Sequence, residues 1–158
     1  MLLRLPGNPT VIVNQYKEAI IMCGGVEYTH EGNKVKIYFP NPRAHLPVCT
    51  RNGNIRLIPW GRRKKQIGPL PVGGWARLES IEKGQWDRWF PKPVKIIIDQ
   101  FMEKDIENNS HWFELTKGQC IQGLLARSDN ETRVYVVTIA PEMPDAIHDR
   151  WPRIITMP

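Results

Sequence analysis

A chain of 158 residues with 41% hydrophobic and 24% charged side chains has the composition of one globular domain and is too short for two full ones. At this length a hydrophobic core forms without disulfide or metal staples, and the three scattered cysteines, Cys23, Cys49 and Cys120, make neither a disulfide framework nor a CxxC knuckle. Such cysteine usage points to a reducing compartment, here the cytoplasm. The net charge of +6 is unevenly placed: residues 32–78 carry ten cations and no acid, while the segments on either side are mildly acidic. One-sided charge of this kind suits a polyanion, nucleic acid first, although a solvated basic face has the same composition.

The N-terminal segment lacks the basic-then-apolar layout of a secretory signal, and no apolar run reaches the ~18 residues of a membrane span. Residues 14–21 pattern as two helical turns behind Asn14 as N-cap. Strands are expected at 34–39, where charged and apolar residues alternate, more loosely at 54–60, and in the β-branched runs 94–98, 119–126 and 133–139. Two further helical turns are expected at 76–83 and one at 144–149. Prolines punctuate the remainder and exclude long helices. The expected fold is α+β and mainly β: a single domain with a curved or barrel-like antiparallel or mixed sheet and a few short helices.

Residues 61–74, GRRKKQIGPLPVGG, read as a loop. Four consecutive cations, Arg62, Arg63, Lys64 and Lys65, lie between Trp60 and Trp75, the combination of charge and indole faces that unstacked single strands use. Tryptophans beside strands are more often a core feature. The residues His30, His45 and His111 have no partners at metal-ligand spacing, so neither a metal nor a cofactor is expected.

Met22-Cys23-Gly24-Gly25 is open to two readings: a buried cysteine before a Gly-Gly turn, or a nucleophile. If Cys23 becomes the first residue, its α-amine, with a reference pKa of about 7.7–8, and its thiol, near 8.5, stand on adjacent carbons. The amine forms a Schiff base with an aldehyde and the thiol then closes a thiazolidine ring; the thiol also has the chemistry to attack an acyl carbon.

Trp60-Gly61, Ala76-Arg77-Leu78-Glu79-Ser80, Asp99-Gln100-Phe101-Met102-Glu103 and His148-Asp149-Arg150-Trp151-Pro152 follow Met22-Cys23-Gly24 in order. Together they resemble the SOS-response-associated peptidase family, or SRAP domain proteins, which shield abasic sites in single-stranded DNA by covalent crosslinking. The likeness covers about residues 22–158, with the His148–Pro152 segment its most specific piece. It implies residues 1–22 as a leader or misassigned start and 23–158 as an SRAP-like domain. It implies Cys23 as the nucleophile, Glu103 at the end of the core strand as proton shuttle, His148 as acid/base and Arg77 as a phosphate contact. Glu114, after His111-Trp112-Phe113, has a similar aromatic-then-acid setting, but Glu103 is the better match counted from the 94–98 strand.

The sequence departs from the family pattern where Gly25 replaces an Arg, where Trp75 replaces an Asn, and in the 22 residues before Cys23. The resemblance therefore implies a monomeric DNA-damage-response protein that binds single-stranded or abasic-site DNA, crosslinks through Cys23 and self-cleaves before it. The departures leave open a non-catalytic DNA-binding derivative, and a cysteine hydrolase with a Cys23–His148 dyad ranks third.

Overall fold

The computed structural model describes residues 24–105, 107–140 and 150–157. Two β-sheets make up most of it, as the strand-rich sequence leads one to expect. The smaller has four strands in the order β2-β1-β7-β8: β1 (Gly25–His30), β2 (Asn33–Tyr38), β7 (Gln100–Lys104) and β8 (Ser110–Glu114). The larger runs β11-β10-β9-β6-β3-β4 through β3 (His45–Cys49), β4 (Ile55–Pro59), β6 (Lys92–Ile96), β9 (Gln119–Ser128), β10 (Glu131–Ile139) and β11 (Trp151–Pro152). The three-residue strands β5 (Trp75–Arg77) and β12 (Ile154–Thr156) join β10 and β9 respectively. All pairings are antiparallel except β5 with β10.

The larger sheet curls without closing into a barrel. Its nearest approach to closure is an isolated parallel bridge between Trp60, just after β4, and Val134 of β10. All five expected strands are present with ends shifted by a few residues, and β10 begins at Glu131. The expected helix at 76–83 is shorter: Ala76 and Arg77 finish β5, and α1 covers only Leu78–Glu82 before Lys83 ends it. A 3-10 turn at Asp87–Trp89 follows. The helical expectations at 14–21 and 144–149 fall outside the described residues.

The main core lies between the inner faces of the two sheets. Val26, Tyr28 and Phe101 come from the smaller sheet, Leu46, Val48, Ile58, Ile96, Ile121, Val134 and Val136 from the larger. A second cluster of Leu70, Ala76, Trp86, Leu124, Ala126, Tyr135 and Val137 fills the outer side of β9 and β10 under α1. Alternation along β9 and β10 serves both clusters, so these two strands are apolar on both faces and read in the sequence as continuous β-branched runs.

Between β6 and β7 the chain crosses from the larger sheet to the smaller at residues 97–99, held by Ile97 N–H donating to Pro47 O and Asp99 N–H donating to Glu27 O. This corrects the expected placement of Glu103. It does not end the core strand of the 94–98 run but belongs to β7, a strand of the other sheet.

Candidate active site

Register places the elements of the site. Gly25 pairs with Met102 of β7 and Tyr38 of β2, so the ladder extends to set Gly24 level with Glu103, and Gly24 O accepts a hydrogen bond from Phe39 N–H. Side chains two apart share a face, so Glu103 shares the inward face of Phe101. It is 9% exposed, and burial pushes its carboxyl up to about 8. Such a group is mostly protonated at neutral pH and can donate a proton to a leaving oxygen. Glu114, by contrast, is exposed at the end of β8.

An aromatic wall stands over Gly24. Phe39, Trp60 and Trp75 pack with ring centroids 4.9–5.7 Å apart, and a Cβ at Gly24 would lie 2.5 Å from Cζ2 of Trp75. Glycine is required there because the indole occupies the side-chain position. Trp60 is 1% exposed and donates its indole N–H to Gly74 O, so it is a wall of the core, while Trp75 is half-buried. At Gly25 a Cβ would lie 2.9 Å from Tyr38 and 3.2 Å from Cε of Met102, so the arginine of the family pattern would displace these two side chains.

Beside the end of β5, Arg150 is anchored. Its guanidinium forms a two-pronged pair with Glu79 at 2.8 and 2.9 Å and donates to the carbonyl and hydroxyl of Thr138. The Arg150 hydrogen bonds, with the Glu79 backbone and nearby Arg77 adding to them, hold the Glu79 carboxyl down at about 2. The exposed Arg77 lies at the end of β5, level with Thr138 on β10, and it is Arg150 rather than Arg77 that bonds Glu79. The next residue, Trp151, packs its ring 5.3 Å from Phe101 and 4.9 Å from Phe113. Phe101 is two residues before Glu103 on the same face of β7.

Cys23 and His148 lie outside the described residues. Gly24, next to Cys23, is described and level with Glu103, and Arg150 and Trp151, two and three residues after His148, are locked against β10 and β7. Three stretches far apart in the chain thus meet at one end of the space between the sheets.

The basic loop divides its cations. Arg62 donates to Leu70 O and Gln66 O, and Arg63 donates to Phe39 O and Trp60 O with its guanidinium carbon 4.0 Å from the centre of the Phe39 ring. Burial, with Arg133 nearby, lowers the Arg63 pKa to about 10, so it remains charged at neutral pH. Lys64 and Lys65 point to solvent. Gly61 turns the chain into the loop at φ 51°, where a Cβ would lie 2.1 Å from Gly73 O.

The bracing role of Arg133, which donates to Gly61 O and to Glu131, is not evident from the sequence. Its one signal is a lone cation just before the mostly apolar run 134–139. Of the other histidines, His111 bonds Asp105 at 2.8 Å and His45 bonds Arg43 O at 2.6 Å. Among the described residues no group of three or more His, Cys, Asp or Glu is placed to hold a metal ion, and no helix is long and apolar enough to cross a membrane. The chain matches no family model and no curated protein sequence.

Proposed function

We propose that the chain is a SRAP-type DNA-damage-response protein that binds single-stranded DNA and couples Cys23 covalently to abasic sites. The observation that carries the reading is the convergence on Glu103: a buried carboxyl, its pKa raised by burial, level with Gly24 and two residues from the ring on which Trp151 packs. An acid held neutral beside the start of β1 is what the chemistry of an N-terminal cysteine there needs.

In this reading the Cys23 thiol first attacks the Met22 carbonyl, the C–N bond breaks to free the α-amine, and water hydrolyses the resulting thioester to return the thiol. The neutral α-amine of Cys23 adds to the aldehyde of the ring-opened sugar, giving a carbinolamine. Glu103 delivers a proton to the departing hydroxyl, water leaves, and an iminium remains. The Cys23 thiol adds to the iminium carbon as its proton is lost to a base, His148 in the family resemblance, and the thiazolidine closes with one water released overall. Arg77, exposed at the end of β5, and the solvent-facing Lys64 and Lys65 supply phosphate contacts, with Trp75 beside the sugar.

The test is incubation of the chain beginning at Cys23 with an abasic single-stranded oligonucleotide. A denaturant-resistant conjugate is expected, absent from Cys23→Ser and formed at least tenfold more slowly by Glu103→Gln; no conjugate from the Cys23-first chain overturns the reading.

The packing at Gly25 and Trp75 favours a second reading, a non-catalytic DNA-binding derivative. Tyr38 and Met102 occupy the place of one phosphate-binding side chain, and an indole replaces a polar group beside the sugar. Binding that is indifferent to the abasic site, in a mature protein whose intact mass retains residues 1–22, distinguishes it.

A further inference from the structure

A second basic site lies away from the Glu103 centre, in an open groove of about 770 Å3 at the mouth of the larger sheet. Arg51 in the β3–β4 turn, Arg56 on β4, and Lys92 and Lys95 on β6 line it, and no carboxylate does. None of the four forms an ion pair among the described residues. Strand alternation and pairing give the groove its floor. Lys92 shares its face with Val94, and Arg56 stands opposite Val48, so two cations rise from an aliphatic surface continuous with the main core.

Arg51, Arg56 and Lys92 are exposed, on long stems, and come from two strands and a turn. Cations presented in this way do not converge on one small anion; they match charge distributed along a polymer. Aliphatic floor and cationic rim together fit a strand whose sugars and bases lie on the half-buried Val94 and Leu125 while its phosphates meet the rim.

We infer that this groove is a second binding surface for single-stranded nucleic acid, holding the phosphodiester backbone outside the Glu103 centre. The inference rests on the DNA-binding reading above. Arg56 and Trp60 are four residues apart along the same extended stretch, about 13 Å at ~3.3 Å per residue. A strand reaching both regions therefore spans several nucleotides, and the second surface adds avidity only to longer strands.

The experiment measures binding of labelled, undamaged oligothymidylates of 5 and 20 nucleotides, and of thymidine monophosphate, to the full chain over a range of salt. The proteins compared are the parent, the Arg56→Ala/Lys92→Ala double variant and a Lys117→Ala control, each with its melting curve recorded. The expected result is a roughly tenfold weaker affinity for the 20-mer in the double variant alone, with little change for the 5-mer. The log Kd against log salt slope should become shallower by about 0.7 for each phosphate that the variant no longer neutralises. Equal 20-mer affinity in parent and double variant overturns the groove and leaves the DNA reading standing. No DNA binding by the parent overturns both. Monophosphate bound as tightly as the 20-mer by the parent, and not by the double variant, overturns the strand assignment in favour of a small-anion site. Should the double variant melt early, Arg51→Ala in the exposed turn carries the same comparison.

Discussion

At the level of single residues, the carboxyl of Glu103 and the glycines before it define what the inner end of β7 can do. An acid whose folded pKa is raised from about 4.5 to about 8 is bound to its proton in the folded chain over a pH range in which the unfolded chain has lost it. Its contribution to stability is complete below the unfolded value and is lost as pH rises through about 8. Urea midpoints measured from pH 5 to pH 8.5 should therefore fall more in the parent than in Glu103→Gln, and parallel profiles would contradict the burial argument. Asp105 and Glu79 behave oppositely: hydrogen bonds from His111 and Arg150 respectively hold both down near 2, so what they contribute is lost in acid. Glu103 is picked out in the sequence by the family resemblance, but not its protonation state, because desolvation comes from the sheet packed across from it.

Among the elements, the 61–74 loop shows how a run of cations is divided by its surroundings. In the sequence Arg62, Arg63, Lys64 and Lys65 are equivalent charges; in the fold the two arginines reach inward to carbonyls of residues 39, 60, 66 and 70, and the two lysines remain outside. The planar guanidinium with several directed donors suits this bracing, which an ammonium group does not reproduce. Arg133 completes it from β10 by bonding Gly61 O. Removing that brace with Arg133→Ala should loosen the loop before it unfolds the domain. Limited trypsin digestion is expected to cut at residues 62–65 several-fold faster than in the parent, with far-ultraviolet circular dichroism unchanged. Equal cleavage rates would show that the brace is redundant.

At the scale of the whole molecule, the two sheets are joined at their site end by the Phe39, Trp60 and Trp75 cluster and by Trp151 on Phe101 and Phe113. Trp60 is central, buried at 1% and bridged to Val134 where the larger sheet comes nearest to closing. Trp60→Ala is expected to lower stability by about 3–5 kcal/mol in chemical denaturation, the range for deleting a buried aromatic ring. A drop under about 1 kcal/mol, the size of an ordinary point substitution, would mean that the cluster is not part of the cooperative core.

Much of this is legible in the chain alone. The alternation at 34–39 and the β-branched runs at 94–98, 119–126 and 133–139 specify strands because side-chain period and apolar density are local properties. The smaller sheet is harder to see: β1 contains Glu27, Thr29 and His30, and β7 and β8 carry charge at their ends, so their inward faces emerge only when Val26, Phe101 and Phe113 meet. Charge is legible only as a total per window. Residues 32–78 are evidently basic, yet the groove at the mouth of the larger sheet draws Arg51 and Arg56 from that window and Lys92 and Lys95 from the mildly acidic remainder. Composition and periodicity thus determined that the protein is a mainly β domain with a basic face and one cysteine followed by glycines. Which carboxylate loses water, which cations stay free and which distant segments share a site were decided by tertiary structure, because desolvation and electrostatic proximity depend on distance in space.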